Sequence, residues 1–75
     1  MRTGKRILPD LAERLASLRK ARGLSQQVLA TRAGISIPRL GDAERFGMAT
    51  TETLNLVARA LAVEVDVLLG RKAAP

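Results

Sequence analysis

Two short helical patterns near the middle of the chain are separated by a turn that is centred on one glycine. Ser25 precedes the first pattern and Ser36 precedes the second. Serine is a favoured N-cap because its hydroxyl accepts a hydrogen bond from a backbone N–H of the first turn. Gly34 lies between the patterns, where a left-handed residue ends one helix and redirects the chain. The sequence therefore predicts two helices, over residues 26–33 and 37–45, that meet at a sharp angle.

Apolar residues flank the start of both predicted helices at the N′ and N4 positions of a hydrophobic staple. These pairs are Leu24 with Leu29, and Ile35 with Leu40. Pro38 falls in the first turn of the second helix, where its missing N–H costs no intrahelical bond. Together these features predict a helix-turn-helix.

The composition limits the chemistry that the chain can perform. It has 75 residues with no Cys and no His, so we expect one small domain without disulfides, zinc clusters, thiol nucleophiles or imidazole bases. No enzyme activity, metal or cofactor is predicted. The 13 Lys and Arg against 7 Asp and Glu give a net charge of +6. This surplus of positive charge favours a partner that carries phosphates. A soluble basic domain without such a partner would have the same surplus.

The distribution of apolar and aromatic residues indicates which compartment and which kind of nucleic acid to expect. No apolar run approaches the ~20 residues of a membrane span, and no long apolar region follows the basic start MRTGKR, so a cytoplasmic protein is expected. Phe46 is the only aromatic residue, which excludes the stacking platforms that bind single-stranded nucleic acid or RNA. Duplex DNA is therefore the expected nucleic acid.

The chain is expected to have three parts, with residues 1–8 as a basic arm, 9–70 as the helix-turn-helix domain and 71–75 as a frayed C-terminal tail. The arm contains Arg2, Lys5 and Arg6. These charges would reach the minor groove of DNA, or they form an ordinary disordered terminus.

Three further helices are predicted inside the domain. Helix 1 is expected to begin at a capping box made by Asp10 and Glu13 and to end near Arg22, before Gly23 at the C′ position. Residues 46–50 are expected to link the motif to helix 4. The core face of helix 4 is expected to be Leu54, Val57, Ala58 and Leu61. The last helix is predicted around Val65–Leu69 and is ended by Gly70.

Five segments in order resemble the Cro/repressor-type helix-turn-helix family of phage and bacterial regulators. They are LAERLASLRKARGLSQ at 11–26, LATRAGIS at 29–36, the ER pair at 44–45, ETLNLVARAL at 52–61 and VDVLLG at 65–70. The resemblance implies an all-α fold, a compact five-helix domain like that of lambda repressor. In this family the second helix of the motif enters the major groove.

The third helix is expected to present the DNA-binding face. Its period turns Leu40, Ala43 and Glu44 inward. The family approaches base edges with the first residues of this helix and those one turn later, and here these are Ile37, Pro38, Gly41 and Asp42. Ile37 would then pack on a thymine methyl and Asp42 would accept from a cytosine amino group. Alternatively, Ile37 only starts the helix and Asp42 is a solvated charge.

Phosphate contacts are expected around this face. Arg39 and Arg45 flank it, and Arg39 would also reach a guanine edge. The resemblance implies that Gln26 and the free amides of its helix grip a phosphate, although glutamine is also simply a good residue to start a helix. The DNA-binding candidates are Gln26, Gln27, Ser36, Ile37, Pro38, Arg39, Gly41, Asp42 and Arg45.

The resemblance also implies a structural ion pair. The family places an Arg of helix 1 against a Glu at the end of helix 3, and Arg19 and Glu44 match these positions. We expect the pair to fix the angle of helix 3, the helix that enters the major groove. Removal of one partner would leave the other charge partly buried without a counter-charge. The alternative is that both are ordinary surface charges.

The predicted function is sequence-specific binding of duplex DNA by a transcriptional regulator, a repressor that acts as a homodimer on a two-fold symmetric operator. A second copy is expected because one recognition helix covers too few bases to select a site in a genome. The predicted dimer interface consists of apolar positions left over after intramolecular packing: Val63, Val65, Val67 and Leu68. The alternative is an antitoxin-like interaction module that holds a toxin partner, with DNA binding secondary.

Overall fold

The structure is a computed structural model that describes residues 6–73. In this part of the chain five helices alternate with short connections, and two strands of two residues pair with each other. The helices are α1 (Pro9–Ala21), α2 (Gln26–Ala33), α3 (Ile37–Phe46), α4 (Thr51–Ala60) and α5 (Val65–Leu68), and the strands are β1 (Arg6–Ile7) and β2 (Met48–Ala49). The predicted five-helix fold is confirmed, with this one strand pair in addition.

The N-terminus of α1 differs from the prediction. Leu8 is the N-cap residue and no side chain caps the helix, so the expected capping box of Asp10 and Glu13 is wrong. Pro9 is the first helical residue instead, because its fixed φ suits that position and its missing N–H would be unpaired there anyway. Asp10 consequently lies inside the first turn, where a carboxylate interacts favourably with the positive end of the helix dipole.

The C-terminus of α1 has the predicted glycine signal. Gly23 adopts a positive φ of 68°. Its N–H donates to the Lys20 carbonyl at 2.9 Å, and the N–H of Leu24 donates to the Arg19 carbonyl at 3.2 Å. This is a Schellman motif, and it satisfies carbonyls that the helix leaves unpaired at its end.

The two helices of the motif are capped as the sequence predicts. The Ser25 hydroxyl accepts from the Val28 N–H at 3.1 Å, and the Ser36 hydroxyl accepts from the Arg39 N–H at 3.2 Å. Gly34 has φ 74° and ends α2. Local sequence signals therefore set both the bounds of α2 and the start of α3.

The core lies where all five helices meet. α1 packs against α3, and α2 packs against both α3 and α4. The largest fully buried side chains are Leu11, Leu15, Leu29, Leu40, Val57, Thr53, Leu61 and Leu68. Burial of each leucine contributes roughly 1.5–3 kcal/mol, so the position of α3 is determined mainly by apolar packing.

The strand pair joins the start of the described chain to the residues that follow α3. β1 and β2 are antiparallel, with Arg6 opposite Ala49 and Ile7 opposite Met48, and the Leu8 N–H donates to the Gly47 carbonyl at 2.8 Å. Residues 46–50 are therefore not a simple link. Of the predicted basic arm, residues 1–5, with Arg2 and Lys5, lie outside the described residues.

Side-chain contacts at the C-terminal end of the described chain hold α5 and the residues after it. Arg14 Nη1 donates to the Leu68 carbonyl at 3.1 Å, and Lys72 Nζ lies 2.6 Å from Glu64 Oε1. The hydrogen bond to the Glu64 carboxylate raises the pKa of Lys72 above its ordinary value. Lys72, the second residue of the predicted tail, thus contacts the domain.

Candidate nucleic-acid interface

The outer side of α3 is the candidate interface. Leu40 and Ala43 are fully buried on the inner side of the helix, whereas Pro38, Arg39 and Arg45 are exposed. The expected orientation of the helix follows from its apolar positions, because only one side of α3 can pack against α1 and the core.

The candidate base-contacting residues form a surface with few hydrogen-bonding groups. Ile37 is 45% exposed, and Gly41 and Asp42 are half-buried. Asp42 lies beside an open groove of about 240 Å³ between α3 and the start of α4, which is lined by Ser36, Arg39, Asp42, Met48, Ala49, Thr50 and Thr53. Asp42 therefore lies at the edge of the outer face that borders this groove, which Arg39 also lines.

The ion pair of Arg19 and Glu44 lies behind this face. Arg19 Nε donates to Glu44 Oε2 at 2.7 Å and Arg19 Nη2 donates to Glu44 Oε1 at 3.0 Å. The two side chains are only 12% and 6% exposed. Such a bidentate geometry is directional as well as attractive, so it connects α1 and α3 at a defined angle.

Gln26 belongs to the same hydrogen-bond network. Its Nε2 donates to Glu44 Oε1 at 3.1 Å, and Arg19 Nη1 donates to the Leu24 carbonyl at 2.7 Å. The Glu44 carboxylate thus holds residues of α1 and α2 against α3. The resemblance assigned Gln26 to a phosphate, but it gave no sign of this internal contact, which depends on tertiary packing.

Two exposed residues at the C-terminal end of α3 contact each other. The guanidinium carbon of Arg45 lies 5.6 Å from the centroid of the Phe46 ring, which is within the range of a cation–π interaction. Phe46 is 50% exposed. In the sequence, an arginine directly before an aromatic residue was the signal that could have indicated this contact, whereas Phe46 was considered there only as the single aromatic residue.

α2 adds exposed side chains next to its capped N-terminus. Gln27 is exposed, and Val28 is 39% exposed. Ser36, by contrast, uses its hydroxyl to cap α3. Its expected role at the interface is therefore combined with a structural one.

Two of the four predicted dimer residues are not available as surface. Val67 is 4% exposed and Leu68 is fully buried, so the expectation that they are left over after intramolecular packing is wrong. Leu68 belongs to the hydrophobic core, whereas Val67 lies beside Lys72 and Ala73, which follow α5. Val63 and Val65 are half-buried, as are Leu56 and Ala60 of α4. We call these four residues the α4/α5 face.

The geometry defines a helix-turn-helix with an exposed second helix, and comparison with known proteins agrees. Residues 15–68 match the helix-turn-helix family, so the chain belongs to this family of DNA-binding regulators. The resemblance to the Cro/repressor type is thereby confirmed. No curated protein sequence matches the chain significantly.

Two solved structures have a similar fold over most of the chain. The restriction-modification controller protein C.AhdI from Aeromonas hydrophila has a TM-score of 0.77 and 34% identity, covering 81% of this chain and 94% of that one. The N-terminal DNA binding domain of SinR from Bacillus subtilis has a TM-score of 0.75 and 30% identity, covering 85% of this chain and 96% of that one. Within residues 6–73, no helix has the length and apolar character needed to cross a membrane.

Proposed function

We propose that this protein is a cytoplasmic transcriptional regulator that binds duplex DNA sequence-specifically, with α3 in the major groove. The observation that carries the proposal is the exposed outer face of α3, a helix that the hydrogen bonds of Arg19, Gln26 and Glu44 connect to α1 and α2 on its other side. A helix about 10–12 Å across fits a major groove about 12 Å wide. Binding itself is the activity, and the proposal assigns the chain no catalytic step, metal or cofactor.

Phosphate contacts would position α3 on the duplex. Gln26 is the first residue of α2, and the free amides of a helix N-terminus attract anions. Arg39 and Arg45 are exposed on α3, where each would reach the DNA backbone. With Gln27 and Ser36 beside them, these groups supply the part of the affinity that does not depend on sequence.

Base contacts would come from Ile37, Pro38, Gly41 and Asp42. Apolar contact with thymine methyl groups and acceptance from a cytosine amino group are the two kinds of readout that these side chains can perform in the major groove. Asp42 is half-buried, so its carboxylate would meet only a base placed close to the groove between α3 and α4.

Repression by a homodimer completes the proposal. The α4/α5 face offers a second chain four half-buried apolar residues, and a two-fold axis near it would place two copies of α3 about one DNA turn, roughly 34 Å, apart. A bound dimer would repress by occupying its operator. The printed descriptions of C.AhdI as a controller protein and of the SinR domain as DNA-binding support a regulatory role.

The same α4/α5 face supports a second candidate function, an antitoxin-like module that holds a toxin partner. Half-buried apolar residues would serve a different protein as well as a second copy. A chain that stays monomeric in solution and fails to bind DNA would favour this function.

Titration of a random-sequence duplex at two salt concentrations tests the proposal. With a net charge of +6, we expect binding at low salt that weakens steeply as salt rises, because each neutralised phosphate releases counterions. Binding that is absent at low salt, or that does not respond to salt, would contradict the DNA-binding function.

A further inference from the structure

Gly41 occupies a position where the fold has no need of glycine. It lies in the interior of α3, and a Cβ at this position would meet no other atom within 4 Å. Glycine destabilises a helix interior relative to alanine because it loses more backbone freedom on folding. The fold by itself would therefore be more stable with a side chain at residue 41.

The backbone conformation explains why the other glycines of the described chain are glycine. Gly23, Gly34, Gly47 and Gly70 all adopt positive φ, between 68° and 75°, which L-residues with a side chain rarely do. Gly41 is the exception, since its backbone is helical. Neither its backbone conformation nor contact with neighbouring atoms explains glycine at this position.

The neighbours of Gly41 on the outer side of α3 indicate what kind of partner surface this side would contact. Residues four apart share one side of a helix, so Ile37 lies one turn before Gly41 and Arg45 one turn after it. Ile37 is 45% exposed although it is apolar, and Arg45 is exposed. An apolar residue, a gap and a cation thus follow each other along one side of the helix.

Building on the proposed function, we propose that Gly41 determines sequence specificity by setting the depth of α3 in the major groove, so that Ile37 contacts a thymine methyl group. A helix fills almost the whole width of this groove, so a missing side chain lets the backbone come closer to the bases. Neither Ile37 nor Gly41 has a polar side chain, and the thymine methyl is the group in the major groove that is read by apolar contact. The recognised element is therefore a duplex with thymine opposite the start of α3.

Gly41→Ala separates stability from specific binding. We expect the variant to raise Tm by a few degrees, since the added methyl occupies open space in a helix. Its affinity for a duplex selected from a random pool by the wild-type protein should fall about tenfold, whereas its affinity for random-sequence duplex should not change. Gly41→Leu should weaken binding to the selected duplex further, because the longer side chain holds the helix farther from the bases.

Asn55→Ala is the matched control. Asn55 is exposed in α4, and alanine has the higher helix propensity, so this variant should also raise Tm while binding the selected duplex as the wild type does. If Gly41→Ala binds the selected duplex as tightly as the wild type, or lowers Tm, the inference is wrong. Equal loss of affinity for selected and random duplexes would also overturn it.

Deoxyuridine substitution tests the thymine contact directly. Replacing each thymine of the selected duplex by deoxyuridine removes only the methyl group, and we expect one position at which the wild type loses affinity and Ile37→Ala does not. If no position has this property, Ile37 does not contact a thymine methyl. Failure of the wild type to bind any duplex at low salt would instead contradict the proposed function itself.

Discussion

At the scale of single residues, Glu44 is the charged group that connects three helices of the described domain. Its carboxylate accepts two bonds from Arg19 and one from Gln26, and only 6% of the side chain is exposed. A buried ion pair of this kind adds little net stability, because desolvation of the charges offsets their attraction. Its larger effect is on geometry, since one carboxylate connects α3 to both α1 and α2.

Glu44→Ala should lower the free energy of unfolding by about 1–4 kcal/mol, because Arg19 would stay partly buried without its partner. Thermal or urea denaturation measures this loss. Glu64→Ala is the control, since Glu64 pairs with Lys72 on the exposed surface and such pairs contribute little. Equal melting temperatures for the two variants would mean that the Arg19 pair is solvated like the surface pair.

Asp42→Ala should strengthen binding to random duplex and relax specificity at one base position. A carboxylate on the outer face is repelled by phosphates unless it meets a cytosine amino group. Selection from a random pool, repeated with the variant, identifies the position. Glu52→Ala removes the same charge from the exposed start of α4. If it has the same effects, net charge alone explains them and Asp42 does not face the DNA.

At the scale of secondary-structure elements, the sequence predicted what depends on local signals and missed what depends on tertiary contacts. The sequence predicted α2, the start of α3 and the core face of α4, because Ser25, Ser36 and the spacing of apolar residues act within a few residues. It missed the pairing of β1 with β2, since two-residue strands have no periodicity to detect. The contact of Gln26 with Glu44 was missed for a different reason, because it joins residues 18 apart in sequence and local patterns do not extend that far.

Two glycines at helix ends give a paired prediction. Gly34→Ala should cost about 1–2 kcal/mol of stability through its left-handed backbone alone, because its Cβ would meet no atom within 4 Å. Gly47→Ala should cost clearly more, since its Cβ would also overlap the Leu8 carbonyl. Urea denaturation of both variants measures the difference. Equal losses would show that the Leu8 backbone moves away from Gly47 without cost.

At the scale of the whole molecule, a domain of this size gains stability when a partner covers its remaining apolar surface. The prediction of a dimer near α5 rested partly on this argument, and burial of Val67 and Leu68 in the monomer restricts the proposed interface to the α4/α5 face. Amphipathic spacing alone did not reveal which apolar residues of α5 pack inward, because a helix of four residues is too short for a reliable period.

Val65→Glu should convert the proposed dimer into a monomer, because a charge would be buried between two apolar surfaces. Sedimentation at micromolar concentration measures the change. Thr31→Glu is the control, as Thr31 is exposed on α2, outside the α4/α5 face, and this variant should remain dimeric. A Val65→Glu protein that still dimerises would move the interface elsewhere, with the N-terminal residues as the next candidate.

The pairing of β1 with β2 has a consequence for how the chain acquires its structure during synthesis. Ile7 and Met48 are about 40 residues apart in sequence, so the Leu8 amide gains its partner only after α3 and Gly47 have left the ribosome. Closing so long a loop costs entropy that local helix formation does not. In hydrogen exchange during refolding, the Leu8 amide should become protected together with the end of α3, and later than the interior of α1.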